Sequence, residues 1–269
     1  MATRVFAPAK INLCLHVTDQ RPDGYHVLES LVCFADVGDW ITLGPSDRTT
    51  LRVTGPKAAA VPTDGSNLRM KAAALACTTV AITLEKHLPA AAGIGGGSAD
   101  AAAVLRGLSD MTGQAPDFDP AQLGADVPVC MESRAAIMAG IGEQVTPVTL
   151  PPLNTVLVNP GVSVSTAEVF TALASKTNPA MDRLPDAMDV PSLMAWLARQ
   201  RNDLEPPARA AAPIIDTVLG ALGDAELARM SGSGATCFGI YKDAEAAKSA
   251  AEAITVNHPD WWVAATVLR

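Results

Sequence analysis

From Pro89 to Ser98 the chain reads Pro-Ala-Ala-Ala-Gly-Ile-Gly-Gly-Gly-Ser and runs directly into Ala99-Asp100-Ala101-Ala102-Ala103-Val104-Leu105, a strong helix former. A strand, a glycine-rich loop and a helix N-terminus make an anion site. Glycines let backbone N–H groups approach a phosphate, and the helix dipole adds about half a positive charge there. Ordering such a loop costs about 0.5–1 kcal/mol per glycine relative to alanine, which a ligand can offset; the simpler alternative is a flexible connection. The pattern is not a Walker loop, which needs GxxxxGK[ST]. Nor is it a dinucleotide fingerprint, because Ser98 stands at the third glycine position. The HRD and DFG elements of protein kinases are absent from the sequence.

Three further segments hold candidate chemistry. Ser231-Gly232-Ser233-Gly234 precedes an apolar strand and is either a tight turn or a second ligand contact, able to close the same phosphate site from another lobe. Gly124-Ala125-Asp126-Val127-Pro128 puts one carboxylate in a sharp turn, where on local pattern a helix or turn cap is the commoner reading. Lys10 interrupts an otherwise apolar strand, as an edge charge that reaches solvent or as a reactive cation.

The elements that must position these groups follow from periodicity. Ile11, Leu13, Leu15 and Val17 alternate with Asn12, Cys14 and His16, predicting a strand over 10–18. A turn at Arg21-Pro22-Asp23-Gly24 leads into a second strand over 27–37, and further strands are predicted at 40–43, 50–53 and 81–85. A helix over 67–77 starts at Ser66 or Asn67 as its cap. Beyond Pro147, Pro151 and Pro152, a plausible domain boundary, come a strand at 155–159 and helices near 166–175, 191–201 and 213–222. A strand at 236–241, a helix at 244–254 and a strand at 262–268 close the chain. The mixture is α+β in two lobes, with residues 1–150 and 151–269 as the two domains.

Composition limits the partners. With 20 Lys+Arg against 28 Asp+Glu the net charge is −8, and 4% of residues are aromatic, a poor basis for binding a nucleic-acid polymer. No apolar run approaches membrane-span length, and the N-terminal residues lack a secretory pattern, so a cytoplasmic location is expected. Cys14, Cys33, Cys77, Cys130 and Cys237 are scattered without a CxxC pair and read as buried reduced thiols. His16, His26, His87 and His258 have no metal-ligand spacing, so any metal should be hard and oxygen-bound. Trp261 and Trp262 read as packing residues, with a small dimer contact as the alternative.

Taken in order, Pro8-Ala9-Lys10-Ile11-Asn12-Leu13, Pro22-Asp23-Gly24-Tyr25-His26, Ala92 to Ala102, Leu123 to Pro128 and Ser231 to Ala235 resemble the GHMP small-molecule kinase superfamily. The glycine loop and the Ser-Gly-Ser-Gly turn are superfamily signals. PAKINL and DGYH are similar to the branch acting on 4-diphosphocytidyl-2-C-methyl-D-erythritol in the non-mevalonate isoprenoid pathway. The resemblance implies a two-lobed GHMP kinase fold, with a ribosomal-protein-S5-domain-2-like N-terminal lobe and a ferredoxin-like C-terminal lobe. It also implies ATP-dependent phosphorylation of the substrate's 2-hydroxyl, with ATP and Mg²⁺ as cofactors. The partner it implies is a cytidine-diphosphate small molecule rather than a nucleic-acid polymer or a membrane, and a monomer or weak homodimer is expected.

The same resemblance implies roles for individual residues. Asp126 matches the general base, and Lys10 the cation that orients it. Ala90, Ala91, Ala92, Gly93, Ile94, Gly95, Gly96, Gly97, Ser98, Ala99 and Asp100 match the ATP phosphate loop, with Ser98 the candidate Mg²⁺ contact. Gly232, Ser233 and Gly234 match a second ATP contact, and Asn67 and Lys86 match the nucleotide lining. Asn12, Tyr25 and His26 match substrate-binding positions, Tyr25 and His26 for the cytosine and Asn12 for the methylerythritol end. Ala99 stands where many relatives carry a second serine, and the stretch from Asn67 to Ala81 is shorter than the family pattern. Three rivals have their own discriminators. A mevalonate or homoserine kinase needs no base-stacking corner, a non-catalytic nucleotide-binding module should lack Lys10 or Asp126, and a dehydrogenase should carry the third glycine.

Overall fold

A computed structural model describes residues 2–65 and 67–269. The chain opens with strands β1 (Thr3–Asn12), β2 (His16–Gln20) and β3 (His26–Pro45). The strand expected over 10–18 is therefore two strands, because Leu15 leaves the first pairing to bridge Asn202 in parallel. Leu15 N donates to Arg201 O at 2.9 Å, and Asp203 N donates to Leu15 O at 2.9 Å. The two strands expected at 27–37 and 40–43 are instead one. A Cβ on Gly38, between them, would lie 2.3 Å from Ala7 O, so this glycine serves close backbone approach within the strand.

β4 (Thr50–Thr54), α1 (Leu68–Leu75), β5 (Val80–Glu85), α2 (Gly96–Thr112) and α3 (Val127–Glu132) follow, with 3₁₀ turns at Ala58–Ala60 and Pro120–Leu123. Of the two caps considered for α1, Ser66 lies outside the described residues, and Asn67 Oδ1 accepts from Arg69 N at 2.9 Å. Then come β6 (Ala136–Gly140), β7 (Gln144–Pro147), β8 (Leu153–Asn159), α4 (Thr166–Thr171), α5 (Val190–Leu197), α6 (Glu205–Ala211) and α7 (Ile214–Ala221). β9 (Leu227–Met230), β10 (Cys237–Tyr241), α8 (Ala244–Asn257) and β11 (Trp262–Leu268) complete the chain. Among these, α3, β6, β7, α6 and β9 carry no periodic signal of their own and were not expected.

Contacts divide the chain into two interleaved units. One comprises Met1–Lys10, Val37–Ala90 and Gly95–Ser133, and the other Ile11–Asp36, Ala91–Ile94 and Arg134–Arg269. Residue 150 falls inside the second unit; by contacts, the chain changes unit within β1, within β3, at both ends of 91–94 and after α3.

In the first unit, β5 pairs antiparallel with the end of β3, from Trp40↔Glu85 to Pro45↔Val80, and parallel with β4. α2 packs between α1 and α3. Ala101, Ala102, Ala103, Val104 and Leu105 are all fully buried, so this helix is enclosed nearly all round. Small side chains are what allow neighbours to approach on every face, which gives the alanine-rich composition a structural reason.

In the second unit, an antiparallel sheet runs β3-β11-β8-β10-β9, while β2 and β6 pair the early part of β3 and β7 pairs β6. Taken alone, β8, β9, β10 and β11 have spatial order 4-1-3-2, and α7 and α8 pack on them: a ferredoxin-like arrangement. Val156, Val158, Ile215, Val218, Leu222, Ala247 and Ile254 supply its core. Trp261 packs against that core and stacks on His258, ring centroids 3.7 Å apart; Trp262 opens β11 opposite Asn159. Trp261 thus packs within this unit.

Four of the five cysteines are buried free thiols, and Cys77, in the turn after α1, is exposed. Among the described residues, no helix is long and apolar enough to cross a membrane.

Candidate active site

Lys10 does not reach solvent. Its Nζ lies 2.8 Å from Asp126 Oδ1, with the lysine side chain 5% exposed and the aspartate 35%. Asp126 stands at the start of α3 but its side chain caps nothing. Gly124, at φ +148°, turns the chain into α3, and Val127 N donates back to Gly124 O at 3.0 Å. The turn therefore presents the carboxylate to Lys10 instead of spending it on the helix. The ammonium–carboxylate pair is a charge-assisted hydrogen bond with one partner still accessible.

Lys10 also runs beside the glycine loop. A Cβ on Gly95, the φ +62° cap of α2, would lie 3.1 Å from Lys10 Cβ and 3.4 Å from Lys10 Cε. No side chain caps α2, so the amides of its first turn, including Gly97 and Ser98, are donors without an intrahelical acceptor. Gly97 is not demanded by packing, since its added Cβ would meet nothing nearer than Leu68 Cδ1 at 3.7 Å.

Beneath this helix end lies a buried charge network. Lys86 Nζ pairs with Asp39 and, at 3.2 Å, with Asp100; Arg69 also pairs with Asp100. Two cations balance two anions, which makes burial tolerable. Asp39 Oδ1 also accepts from His87 N at 2.6 Å and Leu88 N at 2.9 Å. Burial, with the Asp100 charge beside it, raises the Asp39 carboxyl to about 6 against the pull of Lys86. Sequence reasoning missed Asp39, an acidic residue inside a long strand. Asp100 Oδ1 and Arg69 Nε are buried without a hydrogen-bond partner among the described residues. Asn67 is held within the protein, capping α1 and donating from Nδ2 to Pro62 O at 2.5 Å. Lys86 Nζ, though ion-paired, would be 3.3 Å from a Cβ on Gly96 and so lies under the loop.

In the second unit, the earlier half of the glycine loop is knitted to the Ser-Gly-Ser-Gly turn. Ser231 Oγ donates to Gly93 O at 3.0 Å and accepts from Asn12 N at 3.0 Å, while Thr236 N donates to Ala92 O at 3.2 Å. A Cβ on Gly93 would fall 2.5 Å from Ser231 O and 2.7 Å from Gly234 N. That glycine is required by packing, whatever it does for a ligand. Ala91 and Gly93 both have left-handed backbones and Ile94 is buried. Ala90, the last residue before the second unit's segment, is exposed. Ser233 Oγ bonds Thr166 Oγ1 at 2.8 Å. Asn12 Nδ2 donates to Ser30 Oγ at 2.8 Å, leaving its Oδ1 buried and unpartnered among the described residues.

Tyr25, at the tip of the β2–β3 hairpin, is 61% exposed. His26 beside it stacks on Phe170 of α4, centroids 4.8 Å apart, and its buried Nε2 has no partner among the described residues. Burial, helped by the charge of Lys176, holds the His26 ring below its ordinary pKa, so it stays neutral. Phe170 had no local signal: its partner lies 144 positions away (170 − 26).

An uncapped glycine helix start beside a lysine–aspartate pair, on this fold, defines a small-molecule kinase. The chain belongs to the GHMP kinase family: residues 66–140 match the GHMP kinases N terminal domain and residues 178–259 match GHMP kinases C terminal. Its relatives include the 4-diphosphocytidyl-2-C-methyl-D-erythritol kinase of Dinoroseobacter shibae, 59% identical over 98% of this chain and 94% of the relative. The protein of that name from Rhizobium meliloti is 48% identical over 97% of this chain and 93% of the relative. A crystal structure of 4-(cytidine 5'-diphospho)-2C-methyl-D-erythritol kinase superposes with a TM-score of 0.79 at 33% identity, covering 99% of each chain.

Proposed function

We propose that the chain transfers the γ-phosphoryl group of ATP to the 2-hydroxyl of 4-diphosphocytidyl-2-C-methyl-D-erythritol. The relatives' shared name supports this acceptor. The observation that carries the chemistry is the 2.8 Å Lys10–Asp126 pair beside the uncapped start of α2. Asp126 accepts the proton of the 2-hydroxyl as its oxygen bonds to the γ-phosphorus and ADP leaves. Lys10 keeps the carboxylate oriented and offsets charge on the transferring oxygens. The Gly95–Ser98 amides bind ATP phosphates, and Gly232, Ser233 and Gly234 supply further contacts. Phosphoryl transfer asks mainly for positioning and charge neutralisation, which backbone donors and one lysine can provide.

The residues present suit Mg²⁺ carried by ATP. Mg²⁺ is generally held by one or two protein oxygens together with phosphate and water ligands. The Ser98 hydroxyl is the protein oxygen assigned to it. When bound, Mg²⁺ neutralises phosphate charge.

Tyr25 offers an exposed ring face for the cytosine, and neutral His26 a free ring nitrogen to the base edge. The unpartnered Asn12 Oδ1 accepts from a hydroxyl of the methylerythritol end. Asn67 and Lys86 line the nucleotide site through their packing rather than through free polar atoms. This reading keeps the catalytic and ATP-binding loop within 1–150, a division of roles along the sequence. It includes a cytoplasmic, monomeric or weakly dimeric protein that binds no nucleic-acid polymer. ATP consumption with the cytidine-diphosphate acceptor, against mevalonate and homoserine, tests it. Turnover of mevalonate alone overturns the acceptor assignment.

A further inference from the structure

Both hydroxyls of the Ser231–Gly234 turn are already occupied: Ser231 Oγ by Asn12 N and Gly93 O, Ser233 Oγ by Thr166 Oγ1. Donors for a phosphate must then come from the turn's backbone, and their direction depends on what holds the peptide planes. One side chain holds this one. Asn202, 5% exposed and in the loop between α5 and α6, donates from Nδ2 to Met230 O at 2.8 Å and to Gly232 O at 2.8 Å. Its Oδ1 accepts from Leu204 N at 3.0 Å, which settles which end of the amide faces the turn. Its backbone is pinned through the bridge to Leu15.

We propose that Asn202 is a positioning residue for phosphoryl transfer, fixing the Gly232–Ser233 peptide so that the Ser233 N–H is aimed at an ATP phosphate. In a planar trans peptide the C=O and N–H point in opposite directions. The Gly232–Ser233 bond is trans, so turning Gly232 O into Asn202 turns Ser233 N–H away from it. Among the described residues no protein acceptor takes up that N–H. Gly232 can adopt the required φ of +54° and leaves room beside Gly93 O, which a Cβ would approach to 2.9 Å. The inference rests on the reading that this turn contacts ATP.

The test compares Asn202→Asp with Gln200→Ala. Gln200 is a buried carboxamide two positions away, donating to Asp182 Oδ2 at 3.0 Å and Trp196 O at 3.2 Å and not to the turn. The aspartate variant keeps the shape but can donate to a carbonyl only when protonated. We expect its kcat/KM for ATP to fall about tenfold or more near pH 8, and its ratio to wild type to recover severalfold near pH 6. Asn202→Ala, which introduces no charge, should show the same loss without the recovery. Gln200→Ala should lower Tm similarly, with kcat/KM for ATP within about twofold of wild type. Asn202 variants as active as wild type, a pH-independent ratio for Asn202→Asp, or an equal kinetic loss in Gln200→Ala would each overturn the inference. Wild-type protein that phosphorylates no acceptor would overturn the activity reading and Asn202 with it; a working wild type with indifferent Asn202 variants overturns Asn202 alone.

Discussion

Lys10 Nζ and Asp126 Oδ1 are 2.8 Å apart, yet the lysine is sealed in the protein and the aspartate is one-third exposed. The cation is locked by its surroundings while the carboxylate keeps lone pairs for a second donor. A general base needs that asymmetry: one oxygen anchored, the other open to a hydroxyl.

Asp126→Asn keeps shape and removes the carboxylate proposed as the base. Its kcat should fall by about 10²–10⁴-fold, with the fold retained but a lowered thermal midpoint, because buried Lys10 loses its charged partner. Lys10→Met keeps the stem beside Gly95, and in a double-mutant cycle the two losses should be non-additive. Asp126→Asn within about threefold of wild-type kcat would remove it from the chemistry; fully additive losses would show that the pair does not act as a unit.

Gly93→Ala and Gly97→Ala separate packing from ligand contact. At Gly93 the added methyl meets Ser231 O at 2.5 Å with φ at +72°, so stability should drop by more than about 1 kcal/mol. At Gly97 the nearest atom is 3.7 Å away in a helix that favours alanine. Stability there should hold or rise by about 0.5–1 kcal/mol, while KM for ATP increases. Chemical denaturation and ATP titration read the two effects; an unchanged KM in Gly97→Ala would argue against phosphate contact at that amide.

Lys86→Met leaves Asp100 paired with Arg69 alone and Asp39 with no ion-pair partner among the described residues. Removing one partner from a buried network of this kind costs about 3–5 kcal/mol, measurable as a lower urea midpoint. A change below about 1 kcal/mol would mean that water or a rearranged partner compensates. Asp39 adds a pH signature. Its folded value of about 6 lies above the ordinary 3.8, so the folded state holds the proton longer. This group therefore lowers stability as pH rises from about 4 to 6, and Asp39→Asn should flatten that limb.

His26 is held below its ordinary value of 6.5, first by burial and then by Lys176. Its neutral form therefore persists as pH falls through 6.5, and KM for the cytidine acceptor should stay flat from about pH 8 to that point, rising only in more acid solution. An NMR titration of the His26 ring with a midpoint at or above 6.5 would contradict this.

The candidate reactive groups stand out in the sequence because each has a local mark: four glycines before a helix former, a lysine in an apolar strand, an aspartate in a glycine–proline turn. Helices with good formers, α2 and α8, were also readable, since propensity acts within a few residues. Gly38 lies between the two strands expected at 27–37 and 40–43. A glycine marks either a turn or a close approach, and only Ala7, brought alongside, distinguishes them.

Asp39, Phe170 and Asn202 lay beyond the sequence because their partners are 47, 144 and 30 positions away along the chain (86 − 39, 170 − 26, 232 − 202). By itself the chain determined which residues could hold phosphate and move a proton, since residue chemistry and backbone freedom are local. Only the tertiary structure decided that Asp126 faces Lys10 instead of capping α3, that Lys86 is neutralised by two aspartates, and that both serines of the turn are spent on holding it. Those outcomes depend on which groups become buried together, and burial is decided by packing between segments far apart in the chain.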